Sequence, residues 1–100
     1  MSRQLIVRSP AERDLLVAFQ HYESVVPGLG ATFVQRVDEA IAAITLVPAG
    51  FRKRYGEFRL LVVKRFPYGV FYLFDGTVVS VVAIAPLMRD PEYIRSLLER

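Results

Sequence analysis

Apolar residues in the first half of the chain recur with the spacing of an α-helix. A short apolar run at residues 5–7 predicts a strand, and Ser9, Pro10 and Glu12 then form the pattern of a capped helix start. Two helical stretches follow, and the sequence PGLG at residues 27–30 separates them. The pattern predicts two amphipathic helices whose core faces carry Leu15, Ala18, Phe19, Tyr22 and Val26 in the first and Phe33, Val37, Ala40, Ile41 and Ile44 in the second.

The second half of the chain alternates short apolar runs with turn signals, which is typical of a sheet. Asp75 and Gly76 stand between two such runs and predict a two-residue hairpin turn. The run after them is continuously apolar, which predicts a central strand that is covered on both faces. Asp90 and Pro91 predict the start of a short closing helix. The predicted strands span residues 52–55, 58–64, 69–74 and 77–85.

The order of these elements predicts the fold class. Two helices joined by a short loop have apolar faces that need a sheet to cover them. We therefore expect an α+β fold in a single domain, residues 1–100, in which a helical hairpin packs on a small, mostly antiparallel sheet with a short C-terminal helix. The residues expected to be mostly buried are Phe19, Phe33, Val37, Ile41, Val70 and Val81.

The composition is that of a folded chain without a membrane span. Hydrophobic residues make up 53% of the chain and the mean hydropathy is +0.32, which is enough for a core. The longest apolar run, at residues 78–85, is interrupted by Ser80 and ended by Pro86, so it is too short to cross a bilayer. The first residues lack the pattern of a signal peptide, and the chain has no cysteine. We therefore expect a cytoplasmic protein that does not act in a membrane.

Several classes of chemistry lack the residues that they need. His21 is the one histidine, and no carboxylates cluster with it on the polar side of the first helix, so no metal centre is expected. The same scarcity excludes a histidine-based triad and a Cys–His pair. The PGLG segment lacks the lysine and the preceding strand of a phosphate-binding loop, and no small-molecule cofactor is expected.

Positive charge is concentrated in the second half of the chain. Residues 51–100 hold nine basic and five acidic residues, and the segment at residues 52–65 alone holds six basic residues and one acid. Such a surface binds phosphates, and neighbouring tyrosines would stack on bases or move a proton during RNA cleavage. The alternative is that the basic residues only guard an edge strand against aggregation. The residues that would gather at one edge of the sheet are Arg59, Lys64, Arg65, Arg89, Arg95, Tyr68, Tyr72 and Tyr93.

Two long blocks of sequence carry a resemblance to a known superfamily. They are FRLLVVKRFPYGVFYLF at residues 58–74 and DGTVVSVVAIAPLMRDPEY at residues 75–93, with the motifs RFPY at residues 65–68 and RDP at residues 89–91. Together with the order of elements, they resemble the RelE/ParE toxins of bacterial type II toxin–antitoxin modules over almost the whole chain. The resemblance implies a small basic toxin that a cognate antitoxin neutralises. RelE-like members cleave mRNA in the ribosome, and ParE-like members act on DNA gyrase.

The chain departs from the pattern that the resemblance implies for a ribonuclease. Gly69 follows Tyr68 where an arginine is expected, and residues 60–63 are apolar where lysines are expected. Ala85 and Pro86 stand where many relatives carry a histidine. These departures favour inhibition of DNA gyrase over ribosome-dependent mRNA cleavage. A non-toxic remnant that only binds an antitoxin is a further alternative.

The resemblance and the charge pattern together assign candidate roles. If the protein is an mRNA endoribonuclease, Arg59, Arg89 and Tyr93 are its expected catalytic residues. Leu16 and Val34 are aliphatic residues outside the core faces, and we expect them to bind an amphipathic, acidic antitoxin segment. The residues expected to bind the target are Arg52, Lys53, Arg54, Lys64 and Arg65.

Overall fold

The computed structural model describes residues 4–100, in which a helical hairpin and a short third helix cover opposite faces of a five-stranded sheet. Residues 1–3 of the expected domain lie outside the described part. The elements are β1 (Gln4–Val7), α1 (Ser9–Val25), α2 (Leu29–Leu46), a 3-10 turn (Pro48–Gly50), β2 (Lys53–Tyr55), β3 (Phe58–Val62), β4 (Tyr68–Phe74), β5 (Val78–Pro86) and α3 (Pro91–Leu98).

The sheet has the strand order β1-β5-β4-β3-β2. β1 runs parallel to β5, and the other three pairs are antiparallel, which confirms the expected α+β fold with a mostly antiparallel sheet. β5 lies between β1 and β4, as its continuous apolar sequence predicts. Its side chains reach both layers of the core, with Val79 and Val81 under the helical hairpin and Val82 and Ala85 under α3.

A turn forms at Asp75 and Gly76, but three residues (75–77) rather than the predicted two separate β4 from β5. Gly76 adopts a φ of 97°, a conformation that side chains disfavour. The Asp75 carboxylate accepts hydrogen bonds from the N–H groups of Thr77 (2.9 Å) and Val78 (2.7 Å). The bond from the Val78 N–H is the main reason that the pKa of Asp75 lies below its usual value. This network fixes the register in which β4 and β5 pair.

The two predicted helix caps have different outcomes. Asp90 caps α3, because its carboxylate accepts the N–H of Tyr93 at 2.9 Å. The capping box predicted for Ser9 and Glu12 is wrong, since α1 begins directly at Ser9 and the residue before it, Arg8, makes no side-chain cap bond. The physical reason is that Arg8 still belongs to the sheet: its N–H donates to the carbonyl of Val81 (3.0 Å). The chain therefore passes from strand to helix without a separate capping residue.

The start of α2 is capped from the neighbouring helix. The carboxylate of Glu23 on α1 accepts hydrogen bonds from the N–H groups of Gly28 (2.8 Å) and Gly30 (3.0 Å). Gly30 also allows the two helices to approach closely, since a Cβ at this position would lie 2.7 Å from the carbonyl oxygen of Phe19. The hairpin is therefore tied at its closed end by one carboxylate and one glycine.

The core follows the predicted faces, with differences in degree and one error. Phe33, Val37, Val70 and Val81 are fully buried, whereas Phe19 and Ile41 are partly exposed because they lie at the margins of the helical faces. Val26 does not reach the core, contrary to the helical pattern, and is 51% exposed. α1 ends at Val25 and the backbone of Val26 is extended, so the helical spacing no longer applies to it.

Candidate functional site

Arg89 and Tyr93, two of the three residues expected to be catalytic, lie together at the start of α3. The guanidinium carbon of Arg89 stands 3.6 Å from the centre of the Tyr93 ring, within the range of a cation–π contact. Both residues line a cleft of about 290 Å³ between α1, the end of the sheet and α3. The cleft combines one cation, two tyrosines and one carboxylate with an apolar floor. Its other lining residues are Asp14, Val17, Ala18, Tyr68, Ile84, Pro86 and Leu97.

Arg59, the third expected catalytic residue, does not line this cleft. It lies on β3 opposite Tyr72, which packs in the core beneath the helical hairpin. Its guanidinium donates to the carbonyl of Phe51 at 2.6 Å and, more weakly, to that of Ala49 at 3.4 Å. Arg59 therefore has a clear structural role, which is to hold the segment around the 3-10 turn against the sheet.

Tyr72 supports the same segment and is removed from any surface. It is fully buried, and its hydroxyl donates to the carbonyl of Pro48 at 2.6 Å. Burial raises the pKa of Tyr72 above its ordinary value, and the positive charge of Arg59 lowers it by a smaller amount. Tyr72 thus stays a neutral hydrogen-bond donor and does not join the other tyrosines in the cleft.

Tyr68 connects the cleft with the core. Its ring lies 5.0 Å from that of Phe33 and 6.0 Å from that of Tyr22, in edge-on arrangements. Burial raises the pKa of Tyr68, and the nearby Tyr22, Tyr93 and Asp14 add to the effect. A proton is therefore harder to remove from Tyr68 than from a tyrosine in water, so Tyr68 stays a neutral phenol.

Asp14 forms the strongest polar contact of the cleft. The guanidinium of Arg100 approaches it with two parallel hydrogen bonds of 2.9 and 2.7 Å, and the N–H of Ile84 donates to the same carboxylate at 3.1 Å. The bond with Asp14 raises the pKa of Arg100. The side chain of Asp14 thus joins α1, β5 and the residues after α3. Sequence reasoning missed it, although Asp14 interrupts the buried stripe between Ala11 and Ala18 and so carries a detectable signal.

The substitution Asp14→Asn is expected to lower the free energy of unfolding by about 2 kcal/mol. The asparagine keeps one acceptor but loses the charge-assisted pair with Arg100, and hydrogen bonds to charged groups contribute about 1.5–3 kcal/mol. Urea denaturation followed by circular dichroism measures the change. The exposed pair of Lys53 and Glu57 offers the control, since Glu57→Gln should change stability by less than about 0.5 kcal/mol. Equal effects of the two substitutions would show that the contacts of Asp14 contribute no more to stability than an exposed ion pair does.

The five residues expected to bind the target are all exposed, but they form two groups. Arg52, Lys53 and Arg54 lie on and before the edge strand β2. The second group, Lys64 and Arg65, lies in the turn after β3. Lys64 follows five positions after Arg59, which pairs with Lys53, so the two groups are roughly 17 Å apart along the extended chain.

The residues expected to bind an antitoxin lie on the two helices of the hairpin. Leu16 is 54% exposed, and Val34 is partly exposed. The close approach of Gly30 to Phe19 sets the register of the antiparallel helices. Leu16 and Val34 each lie about one helical turn from this contact, on the side away from the loop that joins the helices, so they are at the same level. Leu16 and Val34 therefore lie on neighbouring helices at a common height.

The sheet face that α3 partly covers is apolar where the resemblance implies cations for a ribonuclease. Leu60 and Val62 border this face together with Phe71, Leu87 and Ile94, while Arg54 and Tyr55 line the same pocket from β2. Leu60 and Leu87 fill the space above Gly69: a Cβ built on Gly69 would clash with Leu60 and stand 3.0 Å from Leu87. An arginine at the position where one is expected would therefore have to displace the ends of the Leu60 and Leu87 side chains.

The described residues 4–100 contain no group of three or more histidine, aspartate or glutamate side chains placed to hold a metal ion. Within the same residues, no helix is both long and apolar enough to cross a membrane.

Comparisons with known proteins show the fold. No family model matches the chain, and no curated protein matches it. A chain of the solved structure described as "Chromosomal ParDE TA system from P. aeruginosa" is similar to it, with a TM-score of 0.76 and 20% sequence identity. The match covers 86% of this chain and 97% of that chain. The protein has the fold of the RelE/ParE-type toxins, as the sequence blocks at residues 58–93 predict.

Proposed function

We propose that this protein is the toxin of a type II toxin–antitoxin module and that a cognate antitoxin neutralises it. The observation that carries the proposal is the fold match over 86% of the chain to a protein of a ParDE system. The exposed apolar residues on the helical hairpin and the excess of basic residues in the second half support it, because both suit a partner that is amphipathic and acidic.

Within this proposal, the toxin acts by binding, and DNA gyrase is favoured over the ribosome as its target. The supporting observation is the apolar sheet face around Gly69, where a ribonuclease of this superfamily is expected to carry cations. Arg59 is held by the carbonyls of Ala49 and Phe51, away from the cleft of Arg89 and Tyr93. The three expected catalytic groups therefore do not converge on one substrate position, which general acid–base catalysis needs.

The second candidate function is ribosome-dependent cleavage of mRNA. The contact between Arg89 and Tyr93 favours it, since a cation and a phenol in one cleft could bind a phosphate and move a proton. Purified translating ribosomes with the protein added, followed by primer-extension mapping of the mRNA, separate the two candidates. We expect no codon-positioned cuts. Cuts that disappear in Tyr93→Phe or Arg89→Ala would establish the ribonuclease instead.

Removing the charge of Arg52, Lys53 and Arg54 together should abolish toxicity without unfolding the protein. All three side chains are exposed, so their replacement by alanine should change stability by about 0.5 kcal/mol each at most. Growth after induction and a thermal melt of the purified variant measure the two quantities. A triple variant that arrests growth as well as the parent protein would show that these residues only protect the edge of the sheet.

The substitution Leu16→Asp is expected to weaken the complex with the antitoxin. It places a carboxylate in the apolar contact and opposite an acidic partner, and a buried unpaired charge at an interface costs several kcal/mol, or more than about a hundredfold in affinity. Val25→Asp is the matched control, because Val25 is similarly exposed on the same helix but lies about two to three turns away. Co-purification with the product of the adjacent reading frame measures binding, and equal loss in both variants would argue against a local contact at Leu16.

A further inference from the structure

Two pockets on the α3 side of the sheet meet at the end of β2. The first has a volume of about 270 Å³ and lies between the turn from β2 to β3 and the end of α3. The second has a volume of about 310 Å³ and lies further along β3. Arg54 and Tyr55 line both pockets, so the two are parts of one groove. Each part is close to the lower limit of about 300 Å³ for pockets that hold small molecules.

One row of β3 side chains forms the floor of this groove. Phe58 lines the first pocket, and Leu60 and Val62 line the second. Alternate residues of a strand point to the same face, so these three side chains follow one another over about 13 Å. α3 forms the opposite wall, with Leu98 at the first pocket and Ile94 at the second, and both side chains are almost fully buried. The groove is therefore apolar along its whole floor.

The ring of Tyr55 separates a charged end of the groove from an apolar end. Its centre lies 6.0 Å from that of Phe71, which is almost fully buried and lines the second pocket. The guanidinium carbon of Arg95, which lines the first pocket, stands 5.7 Å from the same ring centre, within the range of a cation–π contact. Tyr55 therefore contacts a cation of one pocket and an aromatic ring of the other.

The charged end of the groove carries a net charge of +1. Arg54 and Arg95 supply two guanidinium groups, and Glu99 is the one acid that lines this pocket. Neither arginine takes part in an ion pair within residues 4–100. Guanidinium groups bind carboxylates and phosphates with charge-assisted hydrogen bonds, and the nearby Glu99 disfavours a second negative charge. The charged end therefore suits a singly charged anion.

We propose that the groove binds a small amphiphilic carboxylate, with its carboxylate between Arg54 and Arg95 and its unbranched alkyl chain across Tyr55 in the apolar pocket. Each C–C bond advances an extended chain by about 1.25 Å, so an eight-carbon chain of about 9 Å fits the length of the floor. The inference goes beyond the proposed function. It assigns a small-molecule site on the face of the sheet opposite the helical hairpin, and its test involves neither growth arrest nor a partner protein.

Calorimetric titration of the purified chain with octanoate tests the proposal, with 1-octanol and octyl phosphate as matched ligands. Octanoate should bind saturably. The neutral 1-octanol should bind at least about tenfold more weakly, because it offers no charge to the two guanidinium groups. Octyl phosphate carries about −1.5 to −2 charges at pH 7 and should also bind more weakly than octanoate, since Glu99 opposes the additional charge.

Two substitutions separate the ends of the groove. Arg95→Gln should weaken octanoate binding about tenfold and leave 1-octanol binding unchanged, because it removes a charge at one end only. Arg13→Gln is the control, since Arg13 is exposed on α1, lines neither pocket and gives the same change in net charge. Val62→Asp should weaken both ligands about fivefold, because it places a charge at the apolar end. Circular dichroism verifies that these variants, all at exposed positions, fold.

Isotope-filtered NMR on the parent chain locates the bound ligand without any variant. The methylene protons of octanoate should show nuclear Overhauser contacts with Phe71 and Ile94 in the apolar pocket. Contacts with the exposed Leu16 and Val17 of the helical hairpin instead would overturn the proposal. It is also overturned if octanoate does not bind saturably, if either matched ligand binds as tightly, or if Arg95→Gln and Arg13→Gln lose the same affinity.

Discussion

Replacing Phe33 with alanine is expected to destabilise the protein by about 3–5 kcal/mol, a large part of the stability of a domain of this size. Phe33 is fully buried on α2 and its ring contacts those of Tyr22, Phe66 and Tyr68 at centroid distances of 5.0–5.2 Å. These four rings join both helices of the hairpin to the turn between β3 and β4. The alanine would leave a cavity at their centre, and a rigid cluster of rings can fill it only in part.

Urea denaturation of Phe33→Ala and of Phe74→Ala measures the effect against a matched change. Phe74 packs against the same core but is partly exposed, so its replacement removes less buried surface and should cost clearly less. If the two variants unfold at the same urea concentration, the ring cluster is not the centre of the core.

The substitution Gly69→Arg should destabilise the protein by about 1–3 kcal/mol, because the new side chain would overpack a buried position. The new side chain would start where Leu60 and Leu87 now pack, beneath α3. It would not create a ribonuclease, since Arg59 stays bound beneath the hairpin. The experiment therefore tests whether this sheet face depends on its apolar packing.

A thermal melt and the mRNA mapping assay are applied to Gly69→Arg and to Val62→Arg. Val62 pairs with Gly69 across the two strands but is exposed, so an arginine there should have little effect on stability. A second variant, Gly69→Arg with Leu60→Ala, should recover part of the lost stability by removing the side chain that clashes. A stable Gly69→Arg single variant would contradict the account of this face.

The elements of the fold could be predicted because their signals are local. The apolar spacing of α1 and α2, the Asp75–Gly76 turn and the Asp90 cap each depend on residues a few positions apart. The cap at Ser9 failed for a reason that lies outside its segment: Arg8 is bound to β5, more than seventy residues further along the chain. The sequence around Ser9 carries no trace of that pairing.

The site was less predictable, because its contacts are between distant parts of the chain. Arg89 and Tyr93 are only four positions apart at the start of α3, so their pairing could be expected, whereas the anchoring of Arg59 by Phe51 and the bond of Asp14 with Arg100 could not. A basic residue on a strand has the same sequence signature whether it binds a phosphate or a carbonyl. Its partner decides its role, and only the tertiary structure supplies the partner.

The measurement that tests the central claim most directly is inducible expression of the chain, alone and together with the product of the adjacent reading frame. The account predicts that expression alone arrests growth with a DNA damage response and intact transcripts, as inhibition of DNA gyrase requires. It also predicts that co-expression restores growth and that the two proteins purify as one complex. A chain that leaves growth unchanged and purifies without that neighbour would contradict the account and leave only the non-toxic remnant.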